Sequence, residues 1–139
     1  MVTRADKYSQ VNKQEFFSDF LDDFDSHPIS NSLVRITNEN AVKQSIRNLI
    51  LTNYGERLFQ PNVGSDVYRA LFEQNDTIAA ENLTFYIKNT ISYNEPRALI
   101  LNLKVFPMPD NSSMIVNIVF SLINSNIPVT LDVILKRVR

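Results

Sequence analysis

The residues of this chain that could do chemistry are its carboxylates and its single histidine, His27. A glycosidase needs only two carboxylates at a suitable separation in space, so the 15 Asp and Glu residues leave that chemistry open on composition alone. No catalytic triad or metal-ligand pattern accompanies His27 in the sequence. The chain has neither a phosphate-binding loop of the GxxxxGKS/T type nor an HExxH zinc motif. We therefore expect no enzyme activity, no cofactor and no metal.

A further chemical feature is the run Glu95-Pro96-Arg97, which can hold a charge pair at a fixed corner of the chain. Pro96 disfavours helical geometry at Glu95, so a preceding helix is expected to end there. Arg97 can offer a planar guanidinium that donates two hydrogen bonds, and Glu95 can offer a carboxylate to accept them. Two interpretations follow from the residues: an internal salt bridge that joins a helix to a sheet, or a docking corner for a partner.

The chain contains only two glycines, and both bracket one loop. Gly55 follows an apolar helical pattern, at a place where a helix needs a residue of left-handed conformation to end. Gly64 closes a turn that begins at Pro61, whose ring presets one backbone dihedral. We expect these three residues to give the loop a fixed shape. Leu58 and Phe59 lie between the glycines, and their apolar character predicts that the loop folds back onto the core.

Length and composition predict one domain with its own core over residues 1–139. The 14 basic and 15 acidic residues give a net charge of −1, so we expect no attraction of nucleic acid or of a membrane by charge. The absence of cysteine excludes disulfides and thiolate chemistry and fits a protein made in a reducing cytosol. No apolar stretch reaches the roughly 18 residues of a membrane span, and we expect no signal peptide.

Hydrophobic periodicity divides the chain into an N-terminal arm, a helical half and a strand region. The arm, residues 1–30, is acidic and carries apolar residues at a spacing that permits a short amphipathic helix. These apolar residues are Phe16, Phe17, Phe20, Leu21 and Phe24. An isolated helix of this length is only marginally stable in water. The arm therefore needs to pack on its own domain or on a partner. In the helical half, residues 31–97, we predict helices over residues 40–52, 65–73 and 77–92.

From residue 98 the apolar pattern changes from a helical period to strict alternation, which is typical of strands buried on one face. The alternating runs cover residues 99–105, 114–122 and 129–135, with turn-forming residues between them at 107–112 and 124–126. Consecutive strands with short connections most simply form an antiparallel meander. The sequence therefore predicts an α+β fold, in which a helical half is followed by a three-stranded antiparallel sheet over residues 98–139.

The last predicted strand ends the meander, and such a strand usually lies at the edge of its sheet. An exposed apolar edge is an aggregation hazard unless something covers or pairs it. Two interpretations remain open: the protein's own arm covers this edge, or a strand from another chain is added to it. The basic ending of the chain either protects the edge or docks an acidic partner. The residues concerned are Val129, Leu131, Val133, Leu135, Lys136, Arg137 and Arg139.

Read together, these features resemble the sheath-initiator family of contractile-tail phage baseplates, whose counterpart in type VI secretion is the TssE subunit. The resemblance runs from about Leu33 to the C-terminus and depends on several short sequence motifs that occur in a fixed order. They are the helix NAVKQSIRNLILT at residues 40–52, GERLF at 55–59, Pro61 with Gly64, LFE at 71–73, and EPR at 95–97, followed by the alternating strands.

The resemblance implies a structural protein of a tail baseplate. It implies that Glu95, Pro96 and Arg97 dock on baseplate wedge proteins, and that the terminal strand pairs with tail sheath subunits and templates sheath polymerisation by strand addition. Tube-proximal hub proteins are further partners on this interpretation, and the protein would act in the virion tail baseplate after synthesis in the host cytoplasm. Two alternatives from other classes stay open: a cell-wall muramidase, since some family members carry a lysozyme label, and a tail adaptor that binds without strand exchange.

Overall fold

A helical part precedes a three-stranded sheet in the computed structural model, which describes residues 16–72, 77–108 and 113–137. In chain order the elements are β1 (Ser18–Phe20), β2 (Arg35–Thr37), α1 (Glu39–Leu51), α2 (Val67–Leu71), α3 (Thr77–Asn94), β3 (Ala98–Met108), β4 (Ser113–Leu122) and β5 (Ser125–Lys136). The strands β3, β4 and β5 form an antiparallel meander in that order, and β1 pairs with β2 in a separate small sheet. The predicted α+β class is therefore confirmed.

The core lies between one face of the meander and the helices α1, α2 and α3. Each helix contributes the apolar stripe that its 3.6-residue period brings to one side, and β4, the central strand, contributes alternate residues. The largest fully buried side chains are Phe120, Ile46, Ile50, Leu83, Ile87, Ile91, Met114, Ile118 and Leu135. Because β4 is flanked on both sides by strands and covered by helices, its register fixes the position of the whole sheet.

Strand β3 contains a bulge that the alternating sequence pattern conceals. Its pairing with β4 shifts between Ile100 and Asn102, so Leu101 has no partner residue. An extra residue inverts which side chains face the core, because side chains alternate along a strand. Before the bulge Ala98 and Ile100 face the helices, whereas Leu99 and Leu101 are exposed. The alternating apolar residues from 99 to 105 therefore do not all lie on one face of the strand.

The described part of the N-terminal arm contains a short strand and turns but no helix, so the amphipathic helix that its apolar spacing permits does not form there. Residues Ser18–Phe20 pair with Arg35–Thr37, and the Asn38 side chain accepts hydrogen bonds from the backbone N–H groups of Phe16 and Phe17. A short helix has few internal hydrogen bonds, and here strand pairing replaces them. Phe17 packs against the core, whereas Phe24 adopts a positive φ that a helix does not allow.

The loop between α1 and α2 is closed by backbone hydrogen bonds, and Gly55 lies inside it and not at the end of the helix. Helix α1 ends at Leu51 with an extended Thr52 as its C-cap, so Gly55 does not end the helix. Gly55 instead adopts a φ of 81° inside the loop, and its N–H donates to the Pro61 carbonyl. At the end of the loop, Ser65 returns to form a parallel bridge with Asn53.

Gly64 is required because the returning chain passes very close to the end of α1. With φ at 144°, a Cβ at this position would lie 2.8 Å from backbone atoms of Asn53 and Thr52, which cannot retreat as a flexible side chain could. Leu58 and Phe59, by contrast, point into solvent. The prediction that these two residues fold back onto the core was wrong.

We expect Gly64→Ala to lower the free energy of unfolding much more than Gly55→Ala. The added methyl at position 64 meets backbone atoms, whereas nothing lies within 4 Å of a Cβ at position 55. Gly55→Ala should cost about 1 kcal/mol for the positive φ alone, and Gly64→Ala roughly 3 kcal/mol or more. Urea unfolding followed by circular dichroism measures both. Equal losses for the two variants would contradict the close approach at Gly64.

Candidate docking site

Glu95 is a buried carboxylate at the point where α3 ends and β3 is about to begin. Its side chain is 3% exposed. The Arg97 guanidinium donates to both carboxylate oxygens, from Nε to Oε1 over 2.5 Å and from Nη2 to Oε2 over 2.7 Å. The Ser45 hydroxyl on α1 donates to Oε2 over 2.5 Å. The Glu95-Pro96-Arg97 run thus forms an internal salt bridge that ties α1, the end of α3 and the start of β3 together.

The hydrogen bonds to Glu95 decide its protonation state. Burial by itself raises the pKa of the carboxyl, but the hydrogen bonds from Arg97 and Ser45 and the positive charge of Arg97 outweigh it, so the pKa lies below its usual range. Glu95 therefore stays ionised at neutral pH. A buried ion is tolerated with partners of this kind, so Arg97 and Ser45 stabilise the ionised form of Glu95 in the folded protein.

Arg97 also reaches the N-terminal segment. Its Cζ lies 5.4 Å from the centre of the Phe17 ring, within the range of a cation–π contact. The Arg97 side chain is 37% exposed, and Pro96 beside it is exposed. An exposed proline next to a guanidinium whose planar group is already fixed makes a rigid surface corner that another protein could contact at little cost in conformational entropy.

Sequence reasoning missed two members of this arrangement, Ser45 and Phe17. Ser45 could have been found, because it lies three residues after Val42 and four before Leu49, on the buried stripe of its helix. A polar side chain on such a stripe needs a partner. Phe17 could not, because the spacing of the phenylalanines around it indicates a helix, whereas the segment that follows it pairs as a strand.

The predicted sheath-binding strand, β5, is at the edge of the sheet. It pairs with β4 from Ser113↔Lys136 to Ser121↔Pro128, and no further strand lies beyond it among the described residues. The side chains of Val129, Val133 and Leu135 are buried in the core, and Leu131 packs against it. A partner strand would therefore meet the backbone of β5 and not these side chains.

Pro128 shows which backbone groups of β5 face outward. Proline has no N–H, and within a sheet it is tolerated where its nitrogen faces a free edge. Successive residues of an antiparallel strand direct their backbone groups to opposite sides, and the register from Pro128 to Lys136 is continuous. The N–H groups of Thr130, Asp132 and Ile134 thus face the free edge.

The basic end of the chain is only partly available for binding. Lys136 is exposed at the end of β5. Arg137 is also exposed, but its Cζ lies 5.3 Å from the centre of the Phe72 ring, so its guanidinium covers part of that aromatic side chain. The third predicted basic residue, Arg139, lies outside the described residues.

In the described part of the chain, the single histidine lies apart from any group of metal-ligating side chains. His27 is an exposed loop residue whose Nδ1 faces the backbone N–H groups of Ile29 and Ser30, each at 3.4 Å. No three side chains of His, Asp and Glu among these residues lie close enough together to hold a metal ion. None of the helices here is both long and apolar enough to cross a membrane.

Comparisons with known proteins place this arrangement in context. The family model described as baseplate wedge protein gp25 matches residues 37–126, a segment that includes α1, the glycine loop, α3 and the Glu95–Arg97 corner. The baseplate wedge protein gp25 of Enterobacteria phage T4 is 33% identical over 85 residues, which are 61% of this chain. That match spans 64% of the T4 protein's length.

Two solved structures share the fold. One is a candidate tail lysozyme from Geobacter sulfurreducens, with a TM-score of 0.67 and 20% identity over 73% of this chain and 92% of that one. The other is a chain in the six-fold symmetrised baseplate of the anti-feeding prophage, with a TM-score of 0.61 and 19% identity, covering 86% of this chain and 84% of that one. At these identities the matches show a common fold.

Arg97→Ala should destabilise the protein at neutral pH, because it leaves the Glu95 carboxylate buried without its main partner. We expect a loss on the order of 3 kcal/mol, since breaking a buried pair is costly and partial exposure of Arg97 moderates the loss. Arg47→Ala, which removes an exposed arginine from α1, is the matched control and should change stability little. Urea unfolding at pH 7 measures both variants.

The pH dependence gives an independent test of the same salt bridge. Because the folded-state pKa of Glu95 is lowered, its stabilising contribution is present above the ordinary value of 4.5 and is lost as the pH falls through the lowered value. In Arg97→Ala the burial that raises the pKa dominates, so the variant's deficit relative to wild type should shrink in acid. A deficit that is constant between pH 7 and pH 3 would show that Arg97 does not act through the Glu95 charge.

Proposed function

This chain belongs to the baseplate wedge protein gp25 family, and from that membership we propose that it is a structural protein of a contractile-tail baseplate. It would reside in the tail baseplate of a virion after synthesis in the host cytoplasm, bound to wedge proteins, with tube-proximal hub proteins as further neighbours. The observation that best supports an assembly function is the division of its surface into a rigid corner and a free strand edge, with a compact core between them.

On this proposal, the Glu95-Pro96-Arg97 corner docks on the wedge. The internal salt bridge and the docking function are compatible, since the carboxylate is buried while Pro96 and part of Arg97 remain at the surface. The salt bridge holds the guanidinium plane in one orientation, so little side-chain entropy is lost when a partner binds.

On the same proposal, the second contact is made by the free edge of β5, which acts as a template for assembly of the tail sheath. A strand from a sheath subunit would pair with the outward N–H groups of Thr130, Asp132 and Ile134, extending the three-stranded sheet by one strand. The buried side chains of Val129 and Val133 hold β5 in one register against β4, so its edge has a defined register as well. Polymerisation directed in this way needs no cofactor and no covalent chemistry.

The muramidase alternative is favoured by one observation, the likeness to a candidate tail lysozyme. A glycosidase needs a general acid whose pKa is raised, so that it holds a proton at the working pH. Among the described residues Glu95 is the buried carboxylate, and its pKa is shifted in the opposite direction. The arrangement therefore supports assembly better than hydrolysis.

A proline at position 134 should block sheath initiation if strand addition is the mechanism. Ile134→Pro removes an outward N–H, whereas the matched control Ile134→Thr keeps that donor and removes a similar amount of apolar surface from a side chain that is 60% exposed. We expect sheath assembly on baseplates carrying Ile134→Pro to fall at least tenfold and on those carrying Ile134→Thr to stay near the wild-type level. Electron microscopy of the tails counts the sheathed particles.

Circular dichroism must first show that both variants fold, which is expected because neither touches the β4–β5 hydrogen bonds. A folded Ile134→Pro protein that initiates sheath at the normal rate would support the adaptor alternative, in which contact is made by side chains. Replacement of Lys136 and Arg137 by Ala separates the charge contribution, since it should weaken assembly and reduce its dependence on salt without abolishing it.

The purified protein should not release peptidoglycan fragments. Turbidity of a cell-wall suspension measures this at neutral and mildly acidic pH, with hen egg-white lysozyme as the positive control. Clearing that is lost on a single Asp→Asn or Glu→Gln change in an otherwise folded protein would replace the structural assignment with the muramidase alternative.

A further inference from the structure

The most exposed apolar side chains of the glycine loop are Leu58 and Phe59. They are 83% and 100% exposed, and they stand side by side at the tip of the loop that Gly55 and Gly64 bracket. A large aromatic side chain left wholly in water is unfavourable in a free protein. Its presence at a loop tip therefore requires a reason other than packing in this chain.

The loop that carries these side chains is not a free coil. Gly55 N–H donates to the Pro61 carbonyl over 2.9 Å, Ser65 N–H donates to the Thr52 carbonyl over 2.8 Å, and Val63 N–H donates to the Gln60 carbonyl over 3.1 Å. The buried Ser65 hydroxyl donates to a carbonyl of α1, which anchors the end of the loop to the core. The tip is therefore presented in a fixed position relative to the helices.

Phe59 itself is held in a strained backbone conformation. Its φ is 65°, and the Gln60 N–H donates to the Leu58 carbonyl over 2.9 Å, which closes a γ-turn around a residue of positive φ. Turns of this hand are rare and strained, and side chains other than glycine's seldom adopt this φ. Strain of this kind is found mainly where the conformation serves binding or catalysis. The γ-turn directs the Phe59 ring away from the protein.

The tip is continuous with the docking corner. Arg57 and Gln60 of the loop line one surface cleft together with Glu95, Pro96 and Arg97. Among the described residues Arg57 is exposed and has no carboxylate within ion-pair distance. The loop thus presents a cation beside its apolar tip, on the same surface as the Glu95–Arg97 corner.

From this we infer that the Leu58–Phe59 tip is a preorganised anchor that inserts into an apolar pocket on a wedge protein, with a carboxylate at the rim of that pocket pairing with Arg57. The inference rests on the proposed docking of this surface to the wedge. Aromatic and arginine side chains that fill a partner's pocket contribute most of the binding energy in protein interfaces. Because the turn already holds the ring outward, little conformational entropy is lost on insertion.

Phe59→Asn tests the anchor without threatening the fold. Asparagine tolerates a positive φ better than phenylalanine does, so the melting temperature should be unchanged or higher. Binding to a purified wedge subassembly that lacks this chain should weaken by about tenfold or more, as expected for loss of a central anchor. Ile29→Asn, at another highly exposed apolar residue, is the matched control and should bind as wild type. Arg57→Glu should also weaken binding, whereas Arg57→Lys should restore much of it.

Photo-crosslinking identifies the occupant directly. With p-benzoylphenylalanine at position 59 of the full chain, we expect a crosslink to one wedge protein, mapped by mass spectrometry to apolar residues near an acidic side chain. The same label at position 29 should give none. Self-association of the free protein that Phe59→Asn abolishes would make the occupant a second copy of this chain and overturn the inference.

The two levels of the proposal can be told apart. If the wild-type chain fails to bind the wedge subassembly, both the docking function and the anchor are wrong. If the wild-type chain binds and neither Phe59→Asn nor Arg57→Glu weakens binding, the docking function stands and the anchor alone is overturned.

Discussion

The buried Glu95 carboxylate is the constraint on which the rest of this structure depends. A charge taken out of water must be met by donors in fixed positions, and here the donors come from two separate segments, Ser45 on α1 and Arg97 at the start of β3. Through these contacts Glu95 connects the end of α3 with α1 and with the start of β3. The Arg97 carbonyl also accepts a hydrogen bond from the Ile123 N–H, so the same corner contacts the turn between β4 and β5.

In the described part of the chain, the sheet that starts at this corner has a buried inner face, and no strand pairs beyond β3 or β5. Its inner face is filled by residues such as Phe120 and Val133, and the helices cover it. Edge strands are an aggregation hazard. The two edge strands of this sheet each contain one proline, Pro107 in β3 and Pro128 in β5. A proline prevents hydrogen bonding to a further strand at its own position but not along the rest of the edge. An edge that is shielded only in part suits a protein whose proposed partner adds a strand to it.

Charged side chains are usually exposed and large apolar side chains are usually buried. Two neighbouring places on this protein show the reverse. A carboxylate is buried at Glu95, and a phenylalanine is fully exposed at Phe59. The first arrangement is stable because every oxygen of the carboxylate has a donor, and the second persists because the loop is fixed by Gly64 and by hydrogen bonds to the end of α1. In a monomer the exposed ring has no energetic advantage, whereas in an assembly it gives a partner a preformed contact.

The sequence by itself determined the class of fold, the three strands, the helices within one or two residues over most of their length, and the family, because hydrophobic period and short motifs are local properties. It also located the Glu95–Arg97 corner and the glycine loop, since proline and glycine restrict or free the backbone of a single residue. Only the tertiary structure decided which side chains in these segments are buried and which strands pair. The bulge at Leu101 changes which side chains of β3 face the core. A short strand forms near Phe17 where the sequence permits a helix. The ring of Phe59 is exposed at the tip of its loop. Each of these outcomes depends on groups distant in sequence, because burial and strand pairing are settled by what the rest of the chain brings alongside a segment.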